Sequence, residues 1–333
     1  MQKTKWLKFK ENKRAYYSYI IFVFICLFSI SFDFISNDKP ILVKYDNSYY
    51  FPIFTKYAET EFGGDFSSEA DYQDDYVQSL IKKNGYFISP FFTYNYDTIN
   101  YQLASPAPSK PDKHNILGTD DQARDVLARL VYGLRISLIF GFLLTIISSV
   151  IGIFIGALSG YLGGKFDLFS QRIIEVWASM PVIFILIILA NFIEASFWWL
   201  LFIMLLFSWM GLVAPVRAEF LKARKLEYVL AAKAFGVSEL RIIFKHILPN
   251  ALVASITFLP FILSSSIVSL TALDFLGFGM PAGTASLGEL LAQGKNNPEA
   301  IWLSLSSFFT LTSILTLIIF IGEGVRDSFR ANQ

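Results

Sequence analysis

Long apolar runs without a charged side chain constrain the fold of this chain more than any other feature. A helix needs about 20 apolar residues to cross the hydrocarbon core of a bilayer. The sequence contains six such runs, at residues 15–32, 136–161, 176–193, 195–216, 247–273 and 300–322. They predict an all-α membrane protein with six transmembrane helices, at about 15–35, 134–161, 170–193, 195–216, 250–273 and 301–322.

Charged residues beside these runs predict the orientation, because Lys and Arg are enriched on the cytoplasmic side of a membrane. Residues 1–14 hold six basic residues and one glutamate, and residues 217–245 hold seven basic residues against three acidic ones. Six spans put both segments and the chain's end on one side. We therefore expect a multi-pass membrane protein with both termini in the cytoplasm. The first run exceeds the length of a signal-peptide core and predicts an uncleaved anchor.

A long polar insert, residues 36–117, separates the first two predicted spans and falls on the outer side of the membrane. It holds 11 acidic and 7 basic residues together with 17 Tyr and Phe. So many aromatic residues are unusual in a solvated linker. The composition predicts a small folded insert that leaves through the proline-rich segment 105–111. It is either a lid or docking surface for a soluble partner or a packing element without a contact role, and the sequence leaves both open.

Several kinds of chemistry are excluded by composition. The single cysteine, Cys26, rules out a disulfide within the chain and a thiolate metal cluster. His114 and His246 stand far apart, which argues against a histidine metal site. A net charge of +1 argues against nucleic-acid binding. The segment 163–165 reads Gly-Gly-Lys, but Phe166 follows where a phosphate-binding loop needs Ser or Thr. We expect no catalytic residue, no metal and no cofactor.

Small residues and prolines mark the packing of the predicted spans. Gly152, Gly156 and Gly160 recur at every fourth position of the second span. Small residues at this spacing let helix backbones approach closely, so we expect a helix packing face. Pro181 and Pro260 are predicted to kink their helices, which membrane proteins tolerate.

The segment 217–249, predicted to be a cytoplasmic loop, has the pattern of helix, turn and helix. Residues 218–235 are good helix formers without Pro or Gly. Gly236 suits the left-handed residue that ends a helix. Ser238 suits the N-cap of the next helix, with Glu239 favourably placed in its first turn. Two alanines before the turn leave a shallow surface on which another protein can sit.

Three segments of the sequence resemble a known family. Ala231-Ala232, Gly236 and Leu248-Pro249 resemble the coupling loop of ABC-importer permeases. The segment 117–130 is similar to the signature LGTD-x-x-GRDVLSRL of the dipeptide/oligopeptide branch, and residues 274–281 with 286–289 are similar to a later signature. With the aromatic insert, the chain most resembles the Yej-type permeases of oligopeptide and microcin C importers.

The resemblance implies a protein of the bacterial inner membrane, with a type I importer permease core over residues 118–328 and the insert 36–117 in the periplasm. It also implies two sets of site residues. The residues expected to couple to the ATPase are Glu227, Ala231, Ala232, Gly236, Ser238, Leu248 and Pro249. The periplasmic signature residues are Gly118, Thr119, Asp120, Arg124 and Asp125. The chain departs from the family at Leu230, where the motif has Glu, at His246, where it has Ile, and at Ala123, where it has Gly.

The function expected from this resemblance is the permease subunit of an ATP-driven importer of oligopeptides or peptide-like compounds such as microcin C. Its partners would be a cytoplasmic ATPase that binds MgATP, a second homologous permease subunit and a periplasmic solute-binding protein. An ion-driven secondary transporter is the alternative, but such proteins place ionisable groups in mid-membrane, and these spans carry almost none. An anchored membrane enzyme is disfavoured because no carboxylate pair stands near a histidine or nucleophile.

Overall fold

The computed structural model describes residues 2–101, 103, 105–190 and 193–330. Two compact units are present. The first comprises Met1–Phe24, Ser137–Pro281 and Leu311–Gln333, and the second comprises Ile25–Ile136 and Ala282–Thr310. The helices are α1 (Gln2–Glu11), α2 (Lys13–Ser31), α3 (Asp75–Asn84), α4 (Val126–Leu162), α5 (Gly164–Ala178), α6 (Val182–Ala190), α7 (Phe197–Ser208), α8 (Met210–Ala223), α9 (Glu227–Ala234), α10 (Glu239–Arg241), α11 (Leu248–Ile256), α12 (Leu259–Phe275), α13 (Leu287–Asn296) and α14 (Ile301–Arg330). The strands are β1 (Leu42–Tyr45), β2 (Ser48–Tyr50) and β3 (Gly85–Ile88).

Membrane-crossing helices dominate the described residues. Four stretches are long and apolar enough to cross a bilayer, namely Lys13–Phe34, Val126–Leu162, Phe197–Ala223 and Ile301–Phe329. A fifth results if Gly164–Ala178 and Val182–Leu189, bent by 63° at their junction, form one span. The chain is therefore a helical membrane protein, and four or five spans stand against the six that the sequence predicts.

Two prolines explain where the predicted spans are divided. Pro181 and Pro260 have no N–H to donate to the carbonyl four residues earlier, so a helix tends to break before them. The bend between α5 and α6 lies immediately before Pro181, and α12 has Pro260 at its N-terminus. The predicted helix 250–273 is thus divided into α11 and the 17 residues of α12. The predicted helix 170–193 passes through residues 191 and 192, which lie outside the described residues.

Several helix ends differ from the predicted bounds. The predicted helix 134–161 is α4, which begins at Val126 because the carboxylate of Asp125 accepts the N–H of Ala128 at 2.8 Å and caps the helix. The predicted helix 301–322 continues to Arg330 in α14. The predicted helix 218–235 is wrong as a single element. It breaks at Leu226, whose extended backbone (φ −73°, ψ 145°) separates α8 from α9.

The first unit has an apolar core in two parts. One part joins α4, α6, α7 and α12 through Phe140, Leu144, Leu186, Leu200, Leu201, Ile203, Met204, Leu270 and Leu273. The other joins α4, α8, α9 and α11 through Ala157, Tyr161, Val216, Phe220, Ala223, Val229, Ile242, Ile247 and Ala251. The second part positions the segment that the sequence predicts to couple to an ATPase.

The second unit contains a small α/β fold within residues 36–117. The three strands pair antiparallel in the order β2-β1-β3. Asp46 and Asn47 join β1 to β2 with φ of 43° and 66°, as a two-residue hairpin turn of type I′ requires. Asp74 caps α3 by accepting the N–H of Tyr76 at 2.9 Å. The core beneath the sheet is aromatic and aliphatic and comprises Val43, Phe62, Ala70, Tyr72, Val77 and Ile81.

Candidate functional site

The short helix α9 is held to the first unit by its buried face. Val229 is fully buried in the cluster formed by α4, α8 and α11, and Ala232 packs against that cluster. Ala231, one position earlier, is exposed. Leu230, at the motif's Glu position, is 52% exposed. The two predicted alanines therefore have different surroundings, and only Ala231 lies on the open face of α9.

Gly236 ends α9 in the left-handed conformation, which glycine adopts more readily than other residues. Its φ is +73°, and the N–H of Gly236 and of Val237 donate to the carbonyls of Lys233 and Ala232 at 3.0 and 3.1 Å. This pair of bonds is a Schellman motif, in which a left-handed residue closes the last turn of a helix. A methyl group added at Gly236 would have no atom within 4 Å. Backbone conformation, rather than crowding within the chain, is therefore what this position requires.

The residues after the turn differ from the expected simple helix. Ser238 stands at the N-cap position of α10, but its hydroxyl accepts no capping bond, so the predicted cap is wrong in its chemistry. Residues Ile242–Ile247 are wound as a π-helix, immediately before Leu248 and Pro249 at the start of α11. Pro249 has no N–H for the carbonyl of Lys245, and a wider turn accommodates that missing bond.

A polar contact links the end of α4 to the segment after the turn. The Tyr161 hydroxyl donates to the Glu239 carboxylate. The Lys233 ammonium lies 3.6 Å from the same carboxylate and 4.8 Å from the centroid of the Tyr161 ring. Tyr161 is 6% exposed, so the contact joins a fixed residue of α4 to the exposed surface around α9 and α10.

A charged pair joins α5 to α8 inside the first unit. The Arg217 guanidinium donates from Nε and Nη2 to the two Asp167 oxygens at 2.5 and 2.6 Å. The Ser159 hydroxyl of α4 donates to the same carboxylate at 2.7 Å. Bidentate pairs of this kind fix geometry as well as charge. The helices α4, α5 and α8 thus meet at Asp167. Arg217, which the sequence assigned to the predicted cytoplasmic loop 217–249, lies instead in α8.

The glycines of α4 lie against α7 and α8. Methyl groups added at Gly152, Gly156 and Gly160 would come within 2.4 to 2.8 Å of the carbonyl oxygens of Trp209, Val213 and Arg217. A Cβ atom essentially never lies within 3 Å of another heavy atom outside its own bonds, so only glycine permits this approach.

The signature residues near Asp120 come together in the second unit as a buried charge cluster. The Asp120 carboxylate lies 2.7 Å from Arg124 Nη2 and 3.2 Å from Arg129 Nε. Arg129 Nη2 contacts Glu289 at 2.5 Å and Arg124 Nη2 lies 3.5 Å from it. Arg129 is fully buried and also donates to the carbonyls of Tyr96, Gly283 and Thr284. The two sequence signatures, near 120 and near 289, are therefore parts of one ion-pair network.

The remaining signature residues brace this cluster. Gly118 has φ +75°, and a methyl group there would meet the Ser109 carbonyl at 2.6 Å. Thr119 accepts the Ser109 N–H at 2.8 Å through its hydroxyl. Asp125 accepts the Asn115 amide at 2.8 Å, and burial raises the pKa of its carboxyl. Ala123, where the family has Gly, has φ +62°, a conformation that costs an alanine about 1 kcal/mol or more.

Comparison with known proteins decides the family. Residues 152–331 match the family described as binding-protein-dependent transport system inner membrane component. The chain belongs to this family. The permease is 50% identical over 333 residues, all of this chain and 98% of the relative, to the inner membrane ABC transporter permease protein YejE of Escherichia coli (strain K12).

Two further relatives extend this similarity. The permease is 49% identical over 351 residues to the peptidoglycan transport system permease protein YejE of Agrobacterium fabrum, covering 98% of this chain and 92% of that one. It is 35% identical over 239 residues to the oligopeptide transport system permease protein OppC of Haemophilus influenzae, covering 72% of this chain and 76% of that one. The resemblance to the dipeptide/oligopeptide branch and the Yej-type permeases is confirmed, and the permease is a multi-pass inner membrane protein.

Sequence reasoning missed three residues that the structure places at these sites. Tyr161 and Asp167 lie far along the chain from their partners, so no local motif joins them to Glu239 or Arg217. Arg129 lies in the quoted signature, but nothing in the sequence shows that its long charged side chain is fully buried. Of the other residues predicted to couple to the ATPase, Glu227 is exposed in the first turn of α9, and Leu248 and Pro249 begin α11.

Proposed function

We propose that this permease is the membrane subunit of an ATP-driven importer that moves oligopeptides or peptide-like compounds, including microcin C-like molecules. The observation that carries the proposal is its similarity, over its full length, to a permease of the YejE type, together with its similarity to an oligopeptide permease. The alternative of an ion-driven secondary transporter has no support in the described residues, where Asp167 and Asp274 are the buried charged residues of the first unit. Asp167 is bonded to Arg217, and Asp274 accepts the backbone N–H of Met280 at 2.7 Å.

The ATPase would dock on the open face of α9 and the turn that follows it. Large apolar side chains stand exposed there, among them Leu230, Phe235 (87% exposed) and Leu240. Clustered exposed apolar residues on a soluble surface indicate a protein contact. Leu230 replaces the motif's Glu, so we infer an apolar contact at this position instead of a charged one. Ala231, Gly236, Pro249 and Glu227 would lie in the same contact, while Ala232, Ser238 and Leu248 support the turn.

Movement of α9 would reach the spans through polar contacts inside the first unit. Glu239 and Lys233 connect the turn to Tyr161 at the end of α4. Arg224 of the segment before α9 donates to the Tyr161 carbonyl at 3.2 Å. The close α4–α8 packing at Gly156 and Gly160 then couples the two helices as one body. MgATP binds only to the partner ATPase in this scheme.

The membrane arrangement completes the proposal. Six spans would result if the bent pair α5 and α6 forms one span and α12 another, since 17 residues of α12 extend about 26 Å. Both termini and α9 would then face the cytoplasm. A second, homologous permease subunit would share the pathway, and a solute-binding protein would deliver cargo from the periplasm.

Purification of the complete importer in lipid nanodiscs tests this function. We expect the complex of this permease with its second permease subunit and ATPase to hydrolyse MgATP, and to do so faster with peptide-loaded binding protein. The permease alone should show no hydrolysis above that of a mock purification. Hydrolysis by the permease alone, or no response to loaded binding protein, would contradict the proposal.

A further inference from the structure

A cavity of about 840 Å³ lies within the second unit, in the fold formed by residues 36–117. Its lining comes from the loop before β1, from the residues leading into α3 and from the segment after β3. Six carboxylates line it, namely Asp38, Glu69, Asp71, Asp74, Asp75 and Asp97. Lys39 is the one lysine or arginine in that lining and His114 the one histidine. With His114 neutral, six negative charges and one positive charge leave the lining at −5.

Lysine residues neutralise only one of these carboxylates. Lys39 Nζ donates to Glu69, and Lys56 Nζ lies 2.9 Å from the same group. These two partners hold the pKa of Glu69 below its ordinary value. Among the residues that the structure describes, the other five carboxylates have no ion-pair partner. Asp71 and Asp74 accept backbone N–H groups, which leaves their charge in place.

Two buried polar groups in the lining have unused hydrogen-bonding capacity. Asp38 Oδ2 accepts the Thr98 hydroxyl at 3.1 Å, whereas Asp38 Oδ1 is buried and has no partner within the described ranges. Tyr72 is 7% exposed, and its hydroxyl also has no partner there. Burial and the nearby Asp97 charge raise the pKa of Asp38. Buried polar atoms are normally paired, so a ligand with N–H donors would satisfy both groups.

The distribution of the carboxylates indicates an organic cation rather than a metal ion. In the part of the chain that the structure describes, no three His, Cys, Asp or Glu residues converge as metal ligands. The negative charges are instead spread around a cavity whose volume is typical of small-molecule sites. Tyr94 and Tyr101 add aromatic rings to the lining, and such rings attract ammonium and guanidinium groups.

We propose that this cavity is a binding site for a short basic peptide, whose ammonium or guanidinium groups pair with Asp38, Asp97 and the carboxylates at the start of α3. The choice of a peptide, rather than another polycation, rests on the proposed import function. The site would concentrate basic peptides at the membrane subunit itself.

Direct binding to the purified full-length permease tests the site without any transport step. The probe is fluorescently labelled trilysine, measured by anisotropy with the permease in phosphatidylcholine nanodiscs. We expect saturable binding that weakens as salt is raised, because added ions screen exposed charges. Labelled triglutamate and trialanine should not bind. Equal binding of triglutamate would overturn the proposal.

Matched substitutions locate the binding in the cavity. Asp38→Asn should weaken trilysine binding about tenfold, since a charge-assisted bond to a buried group is lost. Asp97→Asn, at an exposed position that should not affect folding, should weaken it about threefold. Asp46→Asn removes the same charge from the exposed β1–β2 turn outside the cavity and should leave binding unchanged.

Unchanged trilysine binding by the Asp38→Asn/Asp97→Asn double variant would overturn the assignment. That result would leave the importer function standing, because ATP hydrolysis is measured separately. Conversely, normal trilysine binding with no response of ATP hydrolysis to loaded binding protein would count against the import function and not against this site.

Discussion

Substitution of Gly236 separates the backbone requirement of the turn from the shape of the docking surface. Its φ of +73° costs an L-residue other than glycine about 1–2 kcal/mol. An added Cβ meets no atom of this chain within 4 Å, so within the permease the backbone conformation accounts for the cost of Gly236→Ala. A cost of 1–2 kcal/mol lowers the population of the correct turn by a factor of about 5 to 30.

The side chain placed at 236 decides between the two effects. Asn adopts the left-handed conformation more readily than Ala, and the β-branched Val adopts it least readily. If the turn conformation matters, Gly236→Asn should retain most uptake, Gly236→Ala should lose part of it, and Gly236→Val should lose the most. If shape matters instead, Asn and Val, which are similar in size, should reduce uptake equally.

The assay is peptide uptake by cells together with the amount of ATPase that co-purifies with the permease. Insertion in the membrane should be unchanged for all variants, as should cargo binding to the soluble binding protein. Lys222→Ala, at an exposed position of α8, is the control and should change little. Full uptake and normal ATPase recovery for Gly236→Val would refute the assignment of residues 227–249 as the coupling element.

Three further experiments test the link at Tyr161, the backbone at Ala123 and the membrane topology. Tyr161→Phe removes the hydroxyl bonded to Glu239 and should lower the amount of peptide transported per ATP about twofold to fivefold while hydrolysis continues. Tyr17→Phe is the control. An unchanged ratio of peptide to ATP would contradict the proposed connection between α4 and the turn after α9. Ala123→Gly should raise the free energy of unfolding by up to about 1 kcal/mol, because glycine adopts the positive φ at this position without strain. Ala128→Gly, inside α4, should lower it by about 1 kcal/mol, because glycine is a poor helix former. Thermal unfolding of both variants in nanodiscs measures the difference. In a Cys26→Ser background, Asp46→Cys should react with a membrane-impermeant thiol reagent added from outside, and Lys225→Cys should not. Labelling of Lys225→Cys from outside would overturn the cytoplasmic placement of the segment 217–249.

Local signals could be read from the sequence because each depends on one residue type. A glycine followed by a cap-like serine predicts the turn at Gly236, and the structure gives that residue a positive φ. Prolines at 181 and 260 predict breaks because the missing N–H acts within one turn of helix. The serine cap itself was wrong, since the Ser238 hydroxyl accepts no bond from the first turn of α10.

Contacts between distant residues could not be predicted in this way. Arg129 and Glu289 are 160 residues apart, and Asp167 and Arg217 are 50 apart, so their pairing depends on how helices pack. Charge counting treated Arg217 as a cytoplasmic flanking residue because sequence alone does not show that an aspartate faces it. The observed end of α8 at Ala223 falls inside the stretch predicted as one helix, and no Gly or Pro marks it in the sequence.

Peptide uptake into proteoliposomes measures directly whether ATP hydrolysis drives import through this permease. The vesicles would contain this permease, its second permease subunit and the ATPase, with loaded binding protein on one side and MgATP on the other. We expect accumulation of peptide that requires MgATP hydrolysis and continues when ion gradients are collapsed by ionophores. Accumulation without ATP, driven by a proton or sodium gradient, would contradict it.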